Sequence, residues 1–148
     1  MNEMSETYQP DLMQLLISAG RAMTTLLDEK LLALELSAAK FYTLQILTQA
    51  NEMLPLSELA ERLGTGKSNM TPLVDRLEAD RLVRRLRSDA DRRVVYVEIT
   101  AEGKSRLQQA RVVFAETSHL LDGQYTAEEL HSLTDLLGRF VMRFCPPH

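Results

Sequence analysis

Between residues 81 and 93 the chain carries six arginines, Arg81, Arg84, Arg85, Arg87, Arg92 and Arg93, against two acids, Asp89 and Asp91. The local charge is +4, so the rest of a chain whose formal total is −4 carries −8. A basic segment on an acidic body is the footprint of a site for a polyanion. Shortly before it, Lys67, Ser68, Asn69 and Thr71 crowd polar side chains into five positions. Lysine can donate to guanine, asparagine can pair with adenine, and threonine can touch a thymine methyl. Pro72 can add an apolar contact. Arg76, one helical turn on, can reach a phosphate or pair with Asp80 at i+4, a surface pairing worth only ~0.2–0.5 kcal/mol. The plain alternatives are that Ser68 or Asn69 caps a helix and that the arginines are a solvated charge run. Together these residue types point to binding of double-stranded DNA.

Other chemistries find less support. There is no glycine-rich phosphate loop, no nucleophile elbow and no carboxylate pair at strand ends, so an enzyme is not expected. His119, His131 and His148 lack metal-ligand spacing, and no metal or cofactor is expected. The one cysteine, Cys145, can form no internal bridge, which fits a reducing compartment. No apolar run approaches the ~20 residues of a membrane span, and the first nine residues are polar and acidic, unlike a secretory signal. A cytoplasmic protein without membrane contact is the expectation. At 148 residues, 45% hydrophobic and 26% charged, the chain can bury a core as one domain.

The elements that must position these residues follow from periodicity. Residues 11–34 read as a helix, with Leu12, Leu16, Met23, Leu27 and Leu31 at helical spacing. Ser37 can cap a second helix with Phe41, Leu44 and Leu47 on its apolar face, and Asn51 can end it. Ser57 can cap a short helix over 58–63, and Gly64 and Gly66 can both take positive φ to break it. A helix over about 67–80 follows, carrying Met70, Leu73, Val74 and Leu77 on one side. Two short helices joined by a glycine turn make a helix-turn-helix. Residues 82–87 and 94–99 read as strands around the polar turn Ser88-Asp89-Ala90-Asp91, a hairpin or wing. Thr100 can cap a helix reaching about 121, and Thr126 with Glu129 forms a capping box for the last helix, which Pro146-Pro147 stops. Arg84, Arg85 and Arg87 alternate along the first wing strand. Some of them can pair with acids such as Asp80, and Arg87 is the preferred contact to a DNA backbone.

Segments 56–64 and 67–78, then 82–85 and 91–103, resemble in order the first helix, recognition helix and wing of the MarR family of bacterial transcription factors. The resemblance spans almost the whole chain and rests on the order of several weak motifs. It implies a mainly α fold with a small β-hairpin wing: a winged helix-turn-helix lobe over about 37–100, flanked by dimerisation helices over about 8–34 and 101–148. It identifies Arg93 with the arginine of the family's Asp-x-Arg motif, held in place by Asp91. Arg92 and Arg93 also end the wing turn, and a wing tip can enter the minor groove, whose narrow A·T-rich tracts attract arginine. Gly66 stands where many members have a serine cap, and Pro72 where arginine is frequent. Thr71-Pro72 is similar to the organic-hydroperoxide-sensing branch, but the N-terminal cysteine of that branch has no counterpart here.

The expected function is sequence-specific regulation of transcription. It would be repression at a palindromic operator by a homodimer, with half-sites about one helical turn apart. Leu133, Leu137, Phe140 and Phe144 are the candidate subunit interface, with parts of the first helix. The family resemblance further implies a small aromatic or phenolic effector. The competing reading is a winged-helix module that binds protein, which would not need the +4 stretch and whose binding would vary little with salt.

Overall fold

A computed structural model describes residues 11–144; Cys145, Pro146, Pro147 and His148 lie outside them. Six helices and three short strands alternate in the order α1 (Leu12–Leu31), α2 (Ala38–Ala50), β1 (Leu54–Pro55), α3 (Leu56–Leu63), α4 (Lys67–Ala79), β2 (Val83–Arg87), β3 (Val95–Ile99), α5 (Ala101–Ser118) and α6 (Ala127–Phe144). Short 3-10 turns follow α1 and α5. The mainly helical winged fold agrees with the sequence reading. None of the described helices is long and apolar enough to cross a membrane.

Local chemistry sets most boundaries. The Ser37 hydroxyl accepts from the Lys40 amide at 3.3 Å, and the Asp28 carboxylate, reaching over from α1, accepts from the Ala38 amide at 2.6 Å. Two donors at the start of α2 are thereby satisfied. Asn51 ends the helix at φ 55°, a left-handed conformation that asparagine tolerates. The Thr100 hydroxyl caps α5 by accepting from the Gly103 amide at 3.0 Å. Thr126 and Glu129 close the capping box of α6 in both directions. Hydrogen bonds from the Thr126 amide and then its hydroxyl hold the Glu129 carboxyl below its usual range.

Two expectations need correction. Ser57 is not a cap: α3 begins at Leu56, with Pro55 as its N-cap and no side-chain bond there. Leu54 and Pro55 instead add a short strand to the wing, antiparallel to Val97 and Tyr96, and the fixed φ of proline turns the chain straight from strand into helix. Only Gly64 takes positive φ in the helix-turn-helix turn, at 70°; Gly66 is extended at φ −75° and caps α4 through its backbone alone.

The sheet order is β1-β3-β2, all antiparallel, with Arg84 opposite Glu98 and Arg85 opposite Val97. Phe41, Leu44 and Leu47 of α2 form the centre of the core. Around them close Leu59 of α3, Met70, Val74 and Leu77 of α4, Leu82, Val83 and Val97 of the wing, and Leu107 of α5. Each such side chain contributes roughly 1.5–3 kcal/mol on burial. From α1 only Leu27 and Leu31 are buried, whereas Leu12 and Met23 of the expected stripe are exposed. No residue of α6 is buried.

The wing meets the body at one tight point. Arg81 turns the chain from α4 into β2 at φ 61°, and Thr100 bonds back to it: its amide to the Leu82 carbonyl at 3.0 Å, its hydroxyl to the Arg81 carbonyl at 2.7 Å. Gly103 packs against that strand so closely that a Cβ would lie 2.1 Å from the Leu82 oxygen.

Candidate nucleic-acid interface

The amphipathic pattern of α4 divides it cleanly. Met70, Leu73, Val74 and Leu77 are buried, which leaves Lys67, Ser68, Asn69, Thr71, Pro72 and Arg76 on the exposed side. The Gly66 cap offers no side chain, and no side chain caps the helix start. Pro72 has no amide proton to give the Ser68 carbonyl, and being six residues into the helix it costs one bond there. The Thr71 hydroxyl donates to the Lys67 carbonyl at 3.2 Å, whereas the side chains of Lys67, Ser68 and Asn69 make no hydrogen bond among the described residues. The polar end that could read base edges is thus assembled and open.

Arg76 does not pair with Asp80. Asp80 is taken by Lys40, at 2.6 Å, and Arg76 donates through Nε to the Pro72 carbonyl at 3.2 Å. The i+4 spacing permits the pairing, but the lysine at the start of α2 lies closer to the helix end.

The wing arginines separate into two groups. Arg84 pairs across the hairpin with Glu98 at 2.6 Å, as their opposed register allows. Arg85 turns to α4 and meets Asp75 at 2.5 Å and Glu78 at 3.1 Å. Their acids are therefore Glu98, Asp75 and Glu78, and Asp80 serves neither. By contrast, Arg87, Arg92 and Arg93, with Lys67 and Arg76 on the helix, have no acidic partner among the described residues. Internal pairing thus leaves the surplus charge at the wing tip and along the open face of α4.

The wing turn is locked by its own polar residues. The Ser88 hydroxyl accepts from the Asp91 amide at 3.2 Å, and the Asp91 carboxylate accepts from the Arg93 amide at 3.0 Å. Asp91 therefore holds the Arg93 backbone and leaves its guanidinium free. Lys67, Arg93 and Ser57 line a common cleft of about 290 Å³ between the start of α3, the start of α4 and the wing. Ser57, a helix cap by sequence pattern, belongs instead to this cleft. Arg85 as a link to α4 also escapes the sequence reading; the signal is present in Asp75 and Glu78, spaced to share one helix face.

The proposed interface stripe of α6 is solvent-exposed in the single chain: Leu133 is 46% exposed, Leu137 39%, Phe140 40% and Phe144 64%. The Phe140 and Phe144 rings pack on each other with centroids 4.7 Å apart. Leu12, Leu15 and Ile17 of α1 are exposed as well. Such an apolar surface on a helix with no buried residue exceeds what scattered surface leucines require.

A second cleft, of about 340 Å³, opens between α1, α2 and α5, lined by Gly20, Met23, Thr24, Leu27, Ala38, Tyr42, Phe114, Thr117 and Ser118. No lysine, arginine, histidine or acid lines it. Its three aliphatic hydroxyls each donate to a carbonyl of their own helix: Thr24 to Gly20, Thr117 to Val113 and Ser118 to Phe114.

Comparison with known proteins gives concordant results. The model of the MarR family matches residues 36–95. The homoprotocatechuate degradative operon repressor of Escherichia coli is 30% identical over 106 residues, covering 72% of this chain and 71% of that protein. The HTH-type transcriptional repressor YetL of Bacillus subtilis (strain 168) is 30% identical over 146 residues, covering 93% and 87%. Among solved structures, a mutant MarR from E. coli complexed with operator DNA matches with a TM-score of 0.73 at 28% identity, covering 89% of this chain and 99% of that one.

Proposed function

This chain belongs to the MarR family, and we propose that it is a DNA-binding transcriptional regulator that represses as a homodimer on a palindromic operator. The observation that carries this reading is the pattern of charge: the cations on the outer face of α4 and at the wing tip have no acidic partner among the described residues, while Arg84 and Arg85 are paired with acids. Lys67, Ser68, Asn69, Thr71 and Pro72 would meet base edges in the major groove, and Arg76 and Arg87 phosphates. Arg92 and Arg93 would enter the adjacent minor groove.

The exposed stripes of α6 and α1 would bury each other across a two-fold axis, setting the spacing of two recognition helices. A small ligand in the cleft between α1, α2 and α5 would alter that spacing if it preferred one arrangement over another. Its aromatic walls and the lack of a lining cation favour a neutral phenol. The remaining hydroxyl lone pairs accept an O–H, whereas a carboxylate would lie there without a cation.

The test is selection of duplex fragments from the source genome by purified protein at two salt concentrations. Enrichment of a palindromic site, lost at the higher salt, is the expected result, because each neutralised phosphate releases counterions. No enrichment at either salt, or binding insensitive to salt, would overturn the reading in favour of a protein-interaction module.

A further inference from the structure

Among the described residues, Arg85 is the one wing arginine whose side chain bonds to the recognition helix, and it does so along a single stripe. Its Nη1 meets Asp75 Oδ1 at 2.5 Å and Glu78 Oε2 at 3.1 Å, and its Nη2 donates to the Thr71 carbonyl at 3.2 Å. Its own amide donates to the other Glu78 oxygen at 3.3 Å. Thr71, Asp75 and Glu78 lie at i, i+4 and i+7, so one guanidinium and one amide span two turns of α4. The side chain is only 25% exposed, which shields these bonds from water.

We propose that Arg85 is a positioning residue for DNA recognition: it fixes the angle between wing and recognition helix, and does not itself touch DNA. This rests on the DNA-binding reading above. The two parts it joins would enter different grooves, so their relative placement decides whether both fit one duplex. A planar fork can hold a rigid angle that a point charge cannot. Arg85 also covers Asp75 and Glu78, which are 56% and 41% exposed and would otherwise turn two negative charges toward phosphate. Without Arg85 the protein should still bind DNA through Lys67 and the wing tip, but should distinguish sequences poorly.

The experiment uses the full chain with a duplex selected by the wild type from a randomised pool, and a scrambled duplex of the same length. Arg85→Lys keeps the charge and loses the fork. It should lower the preference for the selected duplex by about tenfold, at an unchanged slope of log affinity against log salt. Asp75→Asn should do the same, and the double variant should be no worse than either single one. A slope reduced by about 0.9 per site in Arg85→Gln, which removes the charge, would mark Arg85 as a phosphate contact and overturn the proposal. Unchanged preference in a folded Arg85→Lys or Asp75→Asn protein would overturn it too. If Arg85→Lys fails to fold, Asp75→Asn decides alone. Failure of the wild type to select any duplex would instead remove the DNA-binding reading, and this inference with it.

Discussion

Asp91 grips Arg93 by its backbone: the carboxylate accepts from the arginine amide at 3.0 Å, and no acid holds the guanidinium among the described residues. Asp91 thus fixes the backbone of Arg93 and leaves its side chain available. Arg93→Ala should weaken DNA binding several-fold and flatten its salt dependence by about 0.9 for each phosphate left without a cation. Asp91→Ala should weaken binding less and leave the salt slope intact, while Asp91→Asn, which keeps an acceptor, should behave as the wild type. Fluorescence anisotropy across a salt series reads all three. Wild-type binding by Arg93→Ala would refute the wing assignment.

Leu137→Asp places a charge in the middle of the exposed stripe on α6. Burial of that charge against a second chain has no compensating partner and is costly. Light scattering should report monomers or aggregates, while near-wild-type helicity persists in the part of the molecule that has its own core. An unaltered dimer would place the subunit interface elsewhere.

Gly103→Ala should be more damaging than its size suggests. The added carbon would lie 2.1 Å from the Leu82 carbonyl oxygen, which is backbone and already bonded to Thr100. Either α5 or the start of β2 must move, at a cost of about 1–3 kcal/mol in overpacking strain. Urea denaturation should show the lower midpoint, and DNA affinity should fall with it because the strand that moves carries the wing.

The cleft between α1, α2 and α5 should choose among ligands by hydrogen-bond direction. Thermal shift with catechol or resorcinol should exceed that with benzoate at equal concentration, since the Thr24, Thr117 and Ser118 oxygens can accept a ligand O–H and no cation lines the cleft to meet a carboxylate. A larger shift with benzoate would overturn the preference for a neutral ligand.

Much of this is legible in the residues alone. The alternation of Met70, Leu73, Val74 and Leu77 fixes which side of α4 is buried, and hence which residues stay open. Ser37, Thr100 and Thr126 cap helices because a hydroxyl at those points has a donor within reach along the chain. What sequence does not disclose is long-range pairing. Asp80 sits four residues from Arg76 yet binds Lys40, forty residues away, and Arg85 crosses from strand to helix. Such choices depend on how close packing brings charges, which local spacing does not encode. Ser57 misleads for a related reason. The strand pairing of Leu54 and Pro55 moves the helix start upstream of it.

The last helix has no residue buried by its own chain. Most of a helix's stability in a protein comes from packing of its apolar face, so if a second copy covers α6, as proposed above, formation of the helix would be coupled to encounter with that copy and would depend on protein concentration. Its lifetime is then a matter of abundance. A dilute cell would hold a regulator whose tail is open to proteolysis, and a well-stocked one a regulator whose tail is protected. Limited proteolysis over a dilution series should show α6 cleaved faster as the protein is diluted, while the packed body around Phe41 is cut at a constant rate. Turnover of such a molecule would be self-reinforcing at low copy number and self-limiting at high.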